Sequence, residues 1–294
     1  MKFSERLKEF FLYAKQNDLL NETSKVVVAL SGGADSMVLL HFLYCLQAEK
    51  KIAALHAFHL NHSLRGEADS EERFVVEYCS ERNIPVTTVK EDVRGYALSE
   101  KISEETAGRE LRYRHLRKLK DDCGYDVIAT AHHADDNAET ILMRLTRGTG
   151  LRGMGGIHPK SDDIIRPILY LTKSEIYDIC ESENIPFVTD KSNFDNKYFR
   201  NRVRNTVIPS LAEENPSFSL TLLRTSEIMR DAWDYISFHV DRIPVEYDGK
   251  ICSCDLHCRD SGKDKRDAFC SARRRTLWGG RVRCCPSGWY RTCH

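Results

Sequence analysis

No run of about eighteen apolar residues occurs among the 294 amino acids of this chain, so nothing in it reads as a membrane span. The N-terminal segment MKFSERLKEF is charged and amphipathic, without the apolar core of a secretory signal, and the expectation is a soluble, cytoplasmic protein. Residues 1–250 also lack any CxxC pair: Cys45, Cys79, Cys123 and Cys180 are singletons in helical contexts, the pattern of buried thiols in a reducing compartment. That disfavours an iron–sulfur cluster or a persulfide relay. Net charge is missing too, since 44 Lys and Arg balance 44 Asp and Glu, and bulk charge therefore does not announce a nucleic-acid partner. The first glycine loop also lacks two phosphate-binding signatures. No lysine follows Gly33 as GxxxxGK[ST] requires, and Gly32-Gly33 followed by Ala, Asp and Ser does not supply GxGxxG, which removes the Walker loop and the dinucleotide fingerprint at that loop.

What is present is a third kind of strand–loop–helix. The apolar β-formers Val26, Val27, Val28, Ala29 and Leu30 run into Ser31-Gly32-Gly33-Ala34-Asp35-Ser36, after which Met37 to Phe42 read as a buried helix with Ser36 as its N-cap. The glycines permit positive φ and close backbone approach, and a helix N-terminus with free N–H groups attracts anions. The segment is similar to the pyrophosphate loop, SGGxDS, of enzymes that split ATP into AMP and pyrophosphate. That similarity implies loop hydroxyls and amides around the phosphates and Mg²⁺ held by Asp35.

Further along, strands are expected at 52–60, 85–89 and 126–130, separated by helices at 69–82 and 103–120, with an amphipathic helix at 3–20 in front. Repeated βα units of this length indicate a doubly wound parallel sheet, an α/β fold whose ligands sit at the carboxyl ends of strands. Two polar signatures fall there, SGGADS after the first strand and AHHADDNAET after the fourth. The stretch GTGLRGMGG reads equally as a cap plus linker or as a mobile loop over a nucleotide. A helix follows at 173–182. Arg200 and Arg204 share a helix face at i,i+4, Pro209 is expected to stop that helix, and another runs from about 217 to 240.

SGGADS at 31–36, HLNHSLRGEADSEE at 59–72, SEETAGRELRY at 103–113, AHHADDNAET at 131–140 with RLTRGTGLRGM, IIRPIL, and DKSNFDNKYFRNRVR at 190–204 together resemble the tRNA(Ile)-lysidine synthetases over roughly residues 20–240. The resemblance implies a PP-loop nucleotide domain followed by smaller tRNA-gripping units. It also implies a two-step reaction, in which ATP adenylates the C2 oxygen of the wobble cytidine and the ε-amine of lysine then displaces AMP. The cofactors implied are ATP and Mg²⁺. The partners implied are tRNA(Ile) with a CAU anticodon and free L-lysine, with homodimerisation left open. Ser31, Gly32, Gly33, Ala34, Asp35, Ser36, Arg109 and His132 would bind the nucleotide, and Asp35, Arg109, His132, Asp136 and Glu139 would carry the chemistry. Asp135, Asp136 and Glu139 are candidates for the lysine amine, and one of them or His132 would take its proton. Arg200 and Arg204 would meet lysine carboxylate, phosphate or RNA, and His62 and Arg65 the tRNA or the nucleotide. His133 reads equally as a packed side chain.

From about Asp248 the pattern stops. Residues 251–294 carry ten Lys and Arg against four Asp, and seven of the eleven cysteines lie between Cys252 and Cys293. Too few aliphatics remain there to bury a core. A knuckle from Cys252, Cys254, Cys258 and His257 matches zinc spacing poorly, a basic RNA-binding tail is a second reading, and an out-of-frame or truncated coding segment is favoured. The expected division is a catalytic domain at 1–210, a helical linker at 211–247 and a Cys/Arg-rich tail at 248–294. The rival functions are a tRNA thiolation enzyme using the same loop and an impaired ATP- or RNA-binding remnant.

Overall fold

The computed structural model describes residues 2–62, 68–189 and 199–240, with the backbone of 245–247, 250–252, 282–284 and 290–292. The chain divides into two compact units, Met1–Asp234 and Tyr235–His294.

The first unit is built on β1 (Lys25–Ala29), β2 (Ala54–Asn61), β3 (Val86–Lys90), β4 (Val127–Ala129), β5 (Lys160–Ser161) and β6 (Ile164–Ile165), in the order β3-β2-β1-β4-β6-β5. Every pairing is parallel except β5 with β6. The expected doubly wound α/β sheet is therefore present, and its strand order reverses between β1 and β4. Val26 and Val28 point into a core shared with Phe10, Met37, Leu40 and Phe42, while Val27 points into the opposite core with Phe58, Leu111, Leu116 and Ile128. Burial on both faces is why the strand reads as an unbroken apolar run.

Around the sheet lie α1 (Phe3–Gln16), α2 (Ala34–Ala48), α3 (Ala68–Glu81), α4 (Val93–Glu100), α5 (Glu104–Cys123), α6 (Ala134–Thr146), α7 (Leu151–Met154), α8 (Lys173–Ser182), α9 (Phe199–Arg202), α10 (Ile208–Glu214) and α11 (Phe218–Val240). Helix α5 starts where the sequence says it should. Ser103 Oγ accepts from Thr106 N at 3.1 Å, and Gly124, left-handed at φ 67°, ends it.

Three expectations need correction. The N-cap of α2 is Gly33; Ser36 sits inside the first turn, where its Oγ donates to Gly33 O at 3.0 Å. Pro209 does not stop a helix. It occupies the first turn of α10, where a missing N–H costs nothing, and a π-helical turn, Val203–Val207, carries the chain into it from α9. Helix α4 was not expected; its signal is Asp92, whose Oδ1 accepts from Gly95 N at 2.9 Å. Of the two readings of 148–156 the cap holds, since Gly148 follows the α6 C-cap at φ 79° and donates its N–H to Leu145 O at 3.1 Å. Beyond it Leu151–Met154 forms α7, Arg144 Nη1 donates to Gly153 O at 2.8 Å and Gly156 O at 3.1 Å, and none of 148–156 lines the cavity described below.

In the second unit, backbone ladders pair β7 (Val245–Tyr247) with β8 (Lys250–Cys252) and β9 (Val282–Cys284) with β10 (Tyr290–Thr292), although the sequence there shows no strand period. The knuckle residues Cys254, His257 and Cys258 lie outside the described residues, as do Arg65 and 190–198. No described helix is long and apolar enough to cross a membrane.

Candidate active site

The carboxyl ends of β1, β2 and β4 open into one cavity of about 720 Å³. From the first loop it is lined by Ser31, Asp35 and Ser36, from α5 by Arg109, Arg112 and Tyr113, and from the β4 end by Thr130, His132 and Asp136. Arg200 and Arg204 close it from α9 and the π-helical turn.

The loop after β1 is a preformed anion cradle. Gly32 lies at φ 85°, and its carbonyl accepts from Val188 N at 2.9 Å. A side chain there would strain the backbone and press on Val75, whose Cγ2 would lie 3.4 Å from the added Cβ. Ser31 and Ser36 hydroxyls are 3.1 Å apart, and Ser36 Oγ accepts from Ser31 N at 3.2 Å. The first intrahelical bond of α2 runs from Met37 N to Gly33 O, which leaves the preceding N–H groups at the positive end of the helix. Gly32, Gly33 and Ala34 shape this turn from beneath the lining.

Asp35, in that first turn, meets a residue the sequence reading missed. Lys173 Nζ donates to Asp35 Oδ1 at 2.6 Å across 138 positions of sequence. Lysine is the first residue of α8, where the helix dipole opposes a cation. That mismatch was the available signal. The Lys173 backbone N–H is itself held by Asp135 Oδ2 at 2.7 Å.

His133, read as equally a packing residue, is a hub. Its Nε2 lies 3.4 Å from Asp136 Oδ2 and 3.9 Å from Asp35 Oδ1, and its Nδ1 lies 3.5 Å from Asp135 Oδ2, an ion-pair contact longer than a hydrogen bond. Burial opposes a charge here, but Asp136, Asp135 and Asp35 together prevail and raise its pKa to about 9. Its neighbour behaves oppositely. Burial lowers His132 to about 4, Asp136 resisting and Arg166, Arg109 and Arg200 assisting, so its imidazole is neutral at pH 7. Thr130 Oγ1 sits 3.0 Å from His132 Nδ1 and 3.4 Å from Ile165 O, so Nδ1 is occupied by the hydroxyl.

The acidic residues of α6 are held by overlapping sets of partners. Asp135 faces away from the cavity and accepts from Ser219 Oγ at 2.6 Å. Asp136 accepts from Arg200 Nη2 at 3.0 Å and from His133 N at 3.1 Å. Burial works against its charge, yet His133, His132 and Arg200 hold its pKa well below the usual carboxylate range. Glu139 is wholly buried, taking Arg200 Nε at 2.6 Å and Arg204 Nε at 2.5 Å. It stands behind the two arginines rather than on the cavity wall. Arg200 and Arg204 do share a target, as their spacing implies, although a π-helical turn rather than plain α-helix brings Arg204 round.

Arg109 lies over the Tyr113 ring at 5.0 Å, and Arg112 Nη2 meets His62 Nε2 at 3.2 Å. Burial first, then Arg112 and His59, lowers His62 to about 4. Arg166 of IIRPIL is buried outside the lining, donating to His158 O at 2.6 Å. No cysteine lines the cavity among the described residues. No described cluster of three His, Cys, Asp or Glu side chains could hold a metal alone.

The PP-loop domain family matches residues 1–211. The chain is 38% identical over 248 residues to the tRNA(Ile)-lysidine synthase of Thermosipho africanus, covering 83% of this chain and 57% of that protein. It is 40% identical over 220 residues to that of Bacteroides thetaiotaomicron, covering 74% and 50%. To the one from Petrotoga mobilis it is 36% identical over 228 residues, covering 78% and 72%. The chain thus spans about half the length of the first two of these curated relatives. The solved U34-tRNA thiolase NcsA from Methanococcus maripaludis, with its 4Fe–4S cluster, superimposes with a TM-score of 0.62 at 23% identity, covering 76% of this chain and 78% of that one. That likeness is one of fold.

Proposed function

Because the chain belongs to the tRNA(Ile)-lysidine synthase family of PP-loop proteins, we propose that it joins lysine to C2 of the wobble cytidine of tRNA(Ile) bearing a CAU anticodon, converting ATP to AMP and pyrophosphate. The observation that carries this reading is one cavity that joins two polar groups of side chains. One is an anion cradle with Asp35 and Lys173; the other holds His132 and the Asp136–Arg200–Arg204 cluster.

In the first step the cytidine O2 attacks the α-phosphorus of ATP and pyrophosphate leaves. Ser31, Ser36 and the N–H groups of α2 would bind the phosphates, and Lys173 and Arg109 would offset their charge. Asp35 would hold Mg²⁺. Its carboxylate is partly exposed beside Lys173, and this ion takes most of its ligands from phosphate oxygens and water. Mg²⁺ supplies neutralisation of the leaving group when bound.

In the second step the lysine ε-amine attacks C2, AMP departs, and the amine loses a proton. His132 Nε2 is the acceptor we assign, because Asp136 is held too acidic to compete. Asp136 would orient the lysine amine. Glu139 would act through Arg200 and Arg204, which are placed for the lysine carboxylate or an RNA phosphate. His62 and Arg112 line the same cavity on the α5 side. In this reading 1–210 is the catalytic domain, 211–247 begins the tRNA-binding part, and the protein works in the cytoplasm.

Thiolation is the rival. Burial raises the thiols of Cys45, Cys79 and Cys180, leaving them protonated and poorly suited to sulfur relay. Incubation with ATP, labelled lysine and unmodified tRNA(Ile) transcript tests the proposal. Label entering the RNA is expected; its absence, with ATP consumed and sulfur incorporated when supplied, sinks it.

A further inference from the structure

Between Glu139 and Asp162 the chain carries no acidic residue, yet it carries Arg144, Arg147 and Arg152. All three arginines are exposed, and none has a carboxylate partner among the described residues. This contrasts with Arg200 and Arg204, which spend their charge on Asp136 and Glu139. Leu145 and Leu151, 47% and 38% exposed, lie between the arginines in sequence. Exposed apolar side chains and cations without a carboxylate partner therefore alternate along the sequence from the end of α6 through α7.

That surface is rigidly built. Gly156, at φ 62°, is packed so closely that an added Cβ would fall 2.1 Å from Asn137 Oδ1, the atom that accepts from Ile157 N at 2.7 Å. Arg144 holds the carbonyls of Gly153 and Gly156 from one side, and Arg230 Nη1 holds Gly155 O at 2.6 Å from the other. Asn137 is the residue after Asp136, so the platform is pinned to the wall of the cavity. Arg147 lies eleven residues beyond Asp136 along α6, about 16 Å at about 1.5 Å per residue.

We infer that the α6–α7 platform is a phosphate-backbone contact for RNA, with Arg147 and Arg152 binding phosphates that flank the nucleotide in the cavity. The inference rests on the proposed RNA substrate and adds where the strand runs. Charge selects the occupant: a polyanion neutralises cations that the protein itself leaves uncompensated, and arginine suits phosphate by its fork geometry. The Gly148–Gly156 stretch then serves the RNA instead of covering the nucleotide.

The test measures binding of the full chain to unmodified tRNA(Ile) transcript without ATP or lysine, across a range of salt. Arg147→Ala/Arg152→Ala is expected to weaken binding about tenfold at fixed salt and to reduce the slope of log affinity against log salt by about two. Arg147→Lys/Arg152→Lys is expected to retain most of the slope. If the arginines serve only the α6 C-terminus, the alanine variant melts at a lower temperature with its slope unchanged, and the inference is overturned. A parent chain that binds no RNA overturns both this inference and the proposed function, whereas a salt-sensitive parent with an unaltered double variant overturns this one alone.

Discussion

Glu139→Gln separates two accounts of the same residue. If Glu139 contacts lysine directly, the change raises KM for lysine and leaves the fold alone. The structure gives it other work: a carboxylate with no exposure, both oxygens taken by the guanidiniums of Arg200 and Arg204. Breaking a buried pair from one side costs about 3–5 kcal/mol, because the partners are left charged and unpaired. Here the lower end applies, since Arg200 and Arg204 keep 34% and 35% of their side chains exposed and Asp136 still faces both. About 3 kcal/mol in a unit of this size lowers Tm by roughly 6–12 °C. Thermal unfolding at pH 7, followed by circular dichroism, checks it. Substituting Glu139, Arg200 and Arg204 together with apolar residues of similar length is expected to recover much of the loss while leaving the enzyme inactive. A shift below about 2 °C for Glu139→Gln would refute the buried-anchor reasoning.

Lys173→Met is expected to slow tRNA-dependent pyrophosphate release about a hundredfold with Tm nearly unchanged, and Lys173→Arg to restore part of it; equal rates would remove Lys173 from the phosphate site. Asp35→Ala should abolish that release, as a phosphate assay with tRNA present would show. His133 holds its proton more tightly in the folded chain than in the unfolded one. The stability it contributes is therefore complete below about pH 6.5 and drains away as pH rises toward about 9. Melting curves from pH 6 to 9 should fall more steeply for the parent than for His133→Gln. Gly156→Ala places a Cβ against Asn137 in a left-handed backbone and is expected to cost about 2 kcal/mol or more, read from denaturant midpoints.

The fold was legible because its signals are local. Val26 to Leu30 is an unbroken apolar run, Ser103 and Gly124 bracket α5, and SGGADS sits where a strand must turn into a helix. The two halves of the site were legible for a related reason, since both follow strands whose carboxyl ends a parallel sheet brings together. What stayed hidden depends on distant partners. Nothing around Lys173 in the sequence points to Asp35, and nothing around Ser219 points to Asp135. Adjacent histidines offered no hint that one would be charged and the other neutral, because the difference arises from three carboxylates gathered around His133 and three arginines near His132. The π-helical turn was equally invisible: Arg200 and Arg204 look like a plain i,i+4 pair, and only the folded chain shows the wider turn that lets both reach Glu139.

The central claim is that the cavity between the tips of β1 and β4 activates a nucleobase oxygen with ATP before any amine arrives. Its most direct test supplies the full chain with ATP labelled at the α-phosphorus and unmodified tRNA(Ile), withholds lysine, and quenches in acid. Label on the RNA, discharged as AMP when lysine is added and missing from Asp35→Ala, is the expected result. RNA that stays unlabelled while the chain consumes ATP would contradict it.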